Sequence, residues 1–485
     1  MSFNSTPILK STLPGDIRTG SRNLRLWIKT EAGTNNPWTE LKTFYKLNFA
    51  KTVNGVGKVT VCLQLPLDQE GDTIRAMLAT GRAFLHVTDQ ESTDGFPPVN
   101  LFGQVIPDSP NATGDPAFYK GLSIMLAKVT KVTDYGKADR RTQTVNSTPV
   151  IRAPTNLPPI TKSVTFDVEA HDAEEALSAI NFKTSLSNTS LNYSTLGKMF
   201  DAVVQSVVTA DSANRQTASV GSWGQSDDCY QNPHCYLTSK KLYSVLRNLA
   251  AIGPNDAQHN VINNEAFPCL ISAIYSYKDW TPIVKLLDSD APFFNGSQTR
   301  LFFNLRLDVR DLSNQSDAKN QYSIADPVVY RDVSNLSNFF GLIHNNTSFS
   351  IYTESQNDGR AQNRKIKLTL PWILNQATAT NAAYLFLKMF VGFPNGVPSY
   401  NISLRDSRVR DRSGVHFYLG AIYNIYYDAN APLFSTDVYI RGRFHTIGYT
   451  QETDSFVIGL GYPSGGGVSQ FSDAKVEEIT SEAQG

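Results

Sequence analysis

The sequence predicts a mostly β protein of the α+β class: two β-domains with a mixed α/β domain between them and a helical insertion in the C-terminal half. Three observations predict it. Apolar and polar residues alternate in short runs over residues 21–135 and again over 301–462, the two-residue period of half-buried strands. Between these blocks, residues 164–300 carry apolar residues at helical spacing as well as strand runs. The stretch 136–163 (GKADRRTQTVNSTPVIRAPTNLPPITKS) is rich in Pro, Thr and Arg and reads as a linker. A chain of 485 residues has a prior of about three domains.

The elements follow in order. Residues 1–20, with Pro7, Pro14 and Gly15, read as a polar extended arm, disordered or ordered only against a neighbour. Leu24, Leu26 and Ile28 alternate, as do Leu47 and Phe49. Val59, Val61, Leu63 and Leu65 form a clean period-2 run, with Lys58, Thr60, Cys62 and Gln64 on the other face. Asn54-Gly55 supplies the positive φ values of a tight hairpin between the second and third runs. A short helix is expected over Asp72–Ala79, ending at Gly81, and further strands over Phe84–Val87, Leu101–Ile106 and Leu122–Val132. So many short strands predict a small barrel or sandwich.

After the linker, Val164, Phe166 and Val168 read as a strand. Asp172 with Glu175 has the spacing of a capping box opening a short helix. Leu196, Met199, Phe200, Val203, Val204, Val207 and Val208 follow helical spacing, with Ser194 as N-cap. Leu242, Val245, Leu246 and Leu249 repeat the pattern, with Gly253 as a stop. Strands are expected again over Leu301–Val309, Val328–Arg331, Phe349–Thr353 and Lys365–Leu370, then a helix over residues 376–391. Val415–Tyr427, Val438–Tyr449 and Phe456–Leu460 close the β block, the last two as a hairpin around Gln451–Asp454. Residues 463–485 begin with a glycine-rich stretch and read as a flexible tail.

Composition narrows the function classes. Charged residues make up 18%, below the usual ~25%, so Asn, Ser and Thr supply much of the polar surface. Lys plus Arg and Asp plus Glu both number 44, giving zero net charge. Such a chain has little electrostatic defence against association, which suits a subunit built into something larger. It argues against sequence-independent nucleic-acid binding, which needs a basic footprint. Four cysteines are too few for a disulfide scaffold. No apolar h-region opens the chain, so no signal peptide is expected. No run of about 20 apolar residues predicts a membrane span.

Several clusters carry chemistry-bearing side chains. Cys229, His234, Cys235, His259 and Cys269 share one stretch, and Cys and His ligate zinc; the plainer alternative is a loop with incidental thiols, since no C-x-x-C pair occurs. Asp167, Glu169, Asp172, Glu174 and Glu175 form an acidic cluster. Paired carboxylates cut glycosidic bonds, but carboxylates in a first helical turn also simply favour the helix dipole. The stretch Arg405–Arg412 (RDSRVRDR) reads as an ion-pair network, with phosphate binding as the sharper alternative. Phe417, Tyr418, Tyr423, Tyr426 and Tyr427 read as core and interface, with a sugar platform as the alternative. Gly459-Leu460-Gly461 ends a strand, but Pro463 follows, so no helix is expected to cradle a phosphate there. No H-E-x-x-H, G-x-S-x-G, Walker or dinucleotide fingerprint occurs. No catalytic, cofactor-binding or metal residue is assigned, and no enzyme activity is expected.

The N-terminal block carries a resemblance. Trp38-Thr39-Glu40-Leu41 leads into Leu47–Phe49 and then VNGVGKVTVCLQLPLDQ (Val53–Gln69); Ile74–Gly81, Ala83–Val87 and Leu101-Phe102-Gly103-Gln104-Val105-Ile106 follow. This resembles the opening of the baseplate or tail hub proteins of tailed bacteriophages. Phe166–Leu177 (FDVEAHDAEEAL) resembles that family's entry into a second domain, Leu196–Val208 its following helix, and Val438–Leu460 a terminal barrel hairpin. Leu419-Gly420-Ala421 departs from the pattern in lacking an acidic residue directly after Gly420.

The resemblance implies two tail-tube-like β-barrel domains per chain and a homotrimeric ring of pseudo-sixfold symmetry. It implies a virion protein, assembled in the host cytoplasm, that joins the tail tube to the tip. The implied partners are the tail tube protein, distal tail or baseplate proteins and a tail-tip spike or fibre, with DNA passing through the lumen. The alternatives are another baseplate component, such as a distal tail or receptor-binding protein, a tail-associated cell-wall hydrolase using Glu169 or Glu175, and a carbohydrate-binding module using Tyr423 or Tyr426.

Overall fold

Alternation of inward apolar and outward polar side chains organises the first block. The computed structural model describes residues 24–30, 38–42, 44–66, 68–89, 99–102, 104, 122–134, 163–213, 220–238, 240–253, 268–277, 279–288, 294–295, 299–300, 303–306, 328–332, 339–344, 347–352, 365–386, 397–404, 419–420, 422–426, 440–452, 455–461 and 475–479. The first block comprises strands β1 (Leu24–Thr30), β2 (Thr39–Glu40), β3 (Phe44–Thr52) and β4 (Lys58–Pro66), helix α1 (Gln69–Ala79), and strands β5 (Ala83–Asp89), β6 (Val99–Asn100), β7 (Leu122–Asp134) and β8 (Ser163–His171). On β4, Val59, Val61, Leu63 and Leu65 are buried in the β core. A turn forms between β3 and β4 where predicted, but only Asn54 (φ 53) takes the left-handed region; Gly55 does not, and closes the turn by donating its N–H to Thr52 C=O at 3.1 Å.

Helix α1 starts earlier than its apolar spacing indicates, because Asp68 caps it by accepting from Gly71 N–H at 2.8 Å. The expected strand Leu101–Ile106 is not a strand at its start. Asn100 Oδ1 accepts from Phe102 N–H (2.9 Å) and Gln104 N–H (3.0 Å), so the chain turns at Leu101–Phe102 directly after β6. Residues 105–106 lie outside the described residues, as do the arm at 1–20 and the linker at 136–162.

The middle block comprises α2 (Ala173–Ala179), β9 (Thr189–Asn192), α3 (Leu196–Ala213), β10 (Gly221–Ser222), β11 (His234–Leu237), α4 (Leu242–Ala250), β12 (Leu270–Tyr275) and β13 (Pro282–Leu287). Strands β10, β13 and β12 form one small sheet, and β11 pairs with β9 in another. The cap of α3 is Thr195 rather than Ser194. Its hydroxyl accepts from Lys198 N–H at 3.3 Å, while Ser194 takes the Lys198 ammonium at 3.2 Å. Gly253, at φ 81, follows α4 as its spacing predicts.

The last block comprises β14 (Phe294–Asn295), β15 (Thr299–Arg300), β16 (Phe303–Arg306), β17 (Val328–Asp332), β18 (Phe339–His344), β19 (Thr347–Tyr352), β20 (Lys365–Leu370), α5 (Gln376–Phe386), β21 (Val397–Leu404), β22 (Ile422–Tyr426), β23 (Ile440–Thr450), β24 (Ser455–Gly461) and β25 (Lys475–Ile479). The predicted β23–β24 hairpin forms, pairing Thr450 with Ser455 at its closed end. Strands β19, β18, β20 and β25 form a separate four-stranded sheet.

The first and last blocks share one sheet of 14 strands, with main path β17-β21-β24-β23-β3-β4-β8-β7-β5-β1-β2. The joint is β23. Its first residues pair with β22 and its last, Thr446–Thr450, pair antiparallel with β3. A bulge relative to β24 falls between Phe444 and Thr446, where the partner changes. Gln451 pins the joint, donating its N–H to Leu47 C=O (3.0 Å) and accepting from Leu47 N–H (2.8 Å).

Two buried cores interleave. Leu26, Ile28, Ala83, Leu85 and Val87 point into the β core. On the opposite face of the same strands, Trp27 and Phe84 belong to the core of the middle block. Strands β1 and β5 are therefore buried on both faces, and that is what seats the middle block on the sheet.

Candidate functional site

The three blocks meet at the tip of the β3–β4 hairpin. Leu47, Phe49 and Lys51 share one side of β3, Val53 follows at the tip, and all four are buried. A lysine therefore points inward. Its ammonium contacts Asp172 Oδ2 and Glu174 Oε1, each at 2.5 Å, and donates to Gly55 C=O at 2.9 Å. Asp172 Oδ2 also accepts from Gly57 N–H at 2.7 Å. A Cβ at Gly57 would collide with that carboxylate, so glycine is needed for the close approach.

Asn54 clamps the same tip to β12. Its amide donates to Cys269 C=O (2.9 Å) and accepts from Ile271 N–H (2.8 Å). Val53 N–H donates to His445 C=O in β23 (2.8 Å), and Tyr275 hydroxyl donates to Asp172 C=O (3.4 Å). On the far side, Arg443 donates to Pro268 C=O (2.8 Å), while Leu419 and Gly420 N–H groups donate to Leu101 and Phe444 C=O, both at 2.7 Å. Gly420, at φ 89, lies directly against Leu270, where a side chain has no room. Leu419–Gly420 thus form a tight turn against the middle block, while Ala421, the position that departs from the pattern, lies outside the described residues.

A second contact lies beside the first. Trp280, in the β12–β13 turn, holds φ 61, an outlier for a bulky residue. Asp279 fixes this turn by accepting from the Thr281 hydroxyl (2.7 Å) and N–H (3.2 Å), and these bonds hold its carboxyl below the usual range against the opposing effect of burial. The indole meets Phe84 (centroids 4.6 Å), Trp38 (5.9 Å, edge-on) and Tyr277 (6.1 Å, edge-on), with the Lys29 ammonium 5.5 Å from its ring. Beside both contacts lies a small cavity of about 40 Å³ bordered by Lys51, Asp172, Asn100, Ser123, Met125 and Tyr277. His86 bonds Ser123 Oγ at 2.7 Å, and burial pushes the imidazole down to about 3.

The predicted site residues fare differently. Asp172 does not form the expected capping box: as N-cap of α2 it makes no side-chain cap bond, because its carboxylate is taken by Lys51 and Gly57. Glu174 is fully buried beside it rather than solvated at the helix end. Burial first, then the Asp172 carboxylate, raises its pKa well above the usual range, against the pull of Lys51. Glu169 and Asp167 lie on the outer face of β8, where Glu169 pairs with Lys58 at 2.9 Å. That bond first, with the charges of Lys58, His171 and Lys131, holds Glu169 below the usual carboxylate range. Glu175 is exposed.

Cys229, Cys235 and Cys269 are buried free thiols. The Cys229 and Cys269 side chains touch, and burial raises all three. His234 bonds Ser190 Oγ at 2.9 Å. Among the described residues no group of three or more His, Cys, Asp or Glu is placed to hold a metal; His259 lies outside them. Tyr423 and Tyr426 stand on β22 and Gly459–Gly461 on β24. Residues 405–412, Phe417, Tyr418 and Tyr427 lie outside the described residues. Sequence reasoning missed Lys51, although its parity with Leu47, Phe49 and Val53 marked it as inward-facing.

Comparison with known proteins gives the following. No family model matches the chain. No curated protein matches it either. The structure is similar to that of the tail protein from Neisseria meningitidis, 8% identical, with TM-score 0.48, covering 90% of this chain and 96% of that one. It is similar to the 43 kDa tail protein of prophage MuSo2 from Shewanella oneidensis, 8% identical, TM-score 0.45, covering 91% and 99%. It is also similar to a prophage tail protein from Listeria monocytogenes, 8% identical, TM-score 0.43, covering 92% and 97%.

Proposed function

We propose that this chain is a structural subunit of a bacteriophage-type tail: the hub that joins the tail tube to the tail tip and surrounds the DNA exit channel. The pairing of β23 on β3 carries the proposal. It sets the second β block beside the first as an extension of the same sheet, so one chain presents two β units side by side. Three such chains, each with two tail-tube-like barrels, make a ring of pseudo-sixfold symmetry that meets a hexameric tube on one face and a threefold spike or fibre on the other. Further support comes from the resemblance in Trp38–Gln69, whose phrase VNGVGKVTVCLQLP covers the tip of the β3–β4 hairpin and β4. Zero net charge also suits a subunit surrounded by partners.

The mechanism is then geometric. Distal tail or baseplate proteins bind its outer surfaces, and no covalent bond is made or broken. No helix among the described residues is long and apolar enough to cross a membrane.

The test is the mass of the purified chain by light scattering, with negative-stain images of the same sample and of the chain mixed with tail-tube ends. A ring of three chains, free or on tube ends, is the expected result. A monomer under both conditions overturns the hub. Binding to the tube without a ring would make the chain another baseplate component.

A further inference from the structure

At the centre of the junction, one ammonium serves two carboxyl groups. The side chains of Lys51, Asp172 and Glu174 are 6%, 8% and 0% exposed. Two carboxylates against one ammonium leave a buried negative charge, which is costly to keep from water. A single proton on one of the carboxyl groups removes it. Glu174, the more deeply buried of the two, is the carboxyl that burial and the neighbouring Asp172 push toward its neutral form.

Among the described residues, few other charged or titratable groups face the cluster. From α4 come the Tyr243 phenol and Arg247, and from β12 the Tyr275 hydroxyl, which is bonded to Asp172 C=O. Burial first, then Glu174 and Asp172, raise Tyr243 well above its usual value, so it stays neutral. The neighbours in sequence turn away: His171 bonds Thr130 Oγ1 (2.9 Å) on the outer face, and Glu175 is exposed.

We propose that this cluster is a proton-dependent clamp: one proton held on Glu174, beside Asp172 and Lys51, keeps the β3–β4 tip docked on β12 and α2, and loss of that proton loosens the joint. The sign follows from linkage. Glu174 is raised in the folded protein, so the opened chain releases its proton first, from about pH 4.5 upward. Stability of the docked tip therefore falls as pH rises from there toward the raised value. Lys51 is raised too, despite its burial, by Asp172 and then Glu174. Its contribution is present below its ordinary value of 10.5 and is lost only as pH passes its raised one.

The experiment follows the melting temperature of the full chain from about pH 5 to about pH 9, with amide exchange of residues 53–57 and 269–275 corrected for intrinsic rates. Glu174→Gln makes the Glu174 side chain permanently neutral. The wild type is expected to lose several degrees, and its tip to exchange faster, as pH rises. Glu174→Gln is expected to have a flat profile and to melt above the wild type at the alkaline end. Lys51→Met, which leaves the carboxyl pair without its cation, is expected to fall more steeply than the wild type. Parallel profiles for wild type and Glu174→Gln, a Glu174→Gln chain less stable at every pH, or a Lys51→Met slope equal to wild type would each overturn the clamp.

Discussion

Asn54 shows how much one side chain holds together. Its backbone makes the hairpin turn in the left-handed region, and its amide does the work of a neighbouring strand by satisfying Cys269 C=O and Ile271 N–H. Asn54→Ala strips both bonds, leaves two buried backbone groups unpaired and strains the turn. The expected cost is about 2–4 kcal/mol in urea denaturation. Asn54→Gly keeps the turn but loses the clamp, and is expected to recover about 1 kcal/mol of that loss. A Gly variant as stable as the wild type would mean the clamp contributes nothing. The place of the turn was legible from Asn-Gly between two apolar runs, but its form was not, since Asn54 alone takes the left-handed region and Gly55 does not. The clamp was not, because its partners lie 215 and 217 residues away, and no local pattern carries such a distance. Asp172 was misread for the same reason: a cap is a local inference, and its carboxylate is claimed by Lys51, 121 residues back.

At the scale of elements, the β12–β13 hairpin is a latch. Its turn holds Trp280 in a costly backbone conformation and recovers that cost by packing the indole against Phe84, Trp38 and Tyr277. Trp280→Ala is expected to destabilise the protein by about 2–4 kcal/mol and to speed amide exchange in residues 275–282 before anywhere else. Uniform exchange across the chain would show that the hairpin is not an independent latch. Strands with strict alternation were legible from sequence, β4 above all, and so were α3 and α4 with their helical spacing. Failures fell where a side chain overrules the period, as Asn100 does in turning the chain after β6, and where a neighbouring hydroxyl takes over a cap, as Thr195 does from Ser194.

For the whole molecule, the sequence divides cleanly into blocks, but the structure fastens them together. Phe84 faces one core and Leu85 the other, β23 belongs to both β blocks, and the Lys51 cluster lies where all three meet. Calorimetry is accordingly expected to show one cooperative transition spanning the three blocks, unlike the separate steps of loosely linked domains. Two resolved transitions, with the middle block melting alone, would show that the junction is weaker than its contacts indicate. The β character of both ends was legible. The joint was not, since pairing between distant strands depends on which edge is left open after folding, and periodicity within a strand is blind to that.

The union of β3 with β23 also has a consequence in time. Thr52 and Thr446 touch across the joint at a separation of 394 residues. Ribosomes add about 5–20 residues per second, so the edge of β3 waits on the order of a minute for its partner to be made. Throughout that interval a nascent chain presents an open strand edge, the kind of surface that recruits strands from other chains. Yield in a recombinant host should therefore depend on translation speed and chaperone supply more than the stability of the finished protein would indicate.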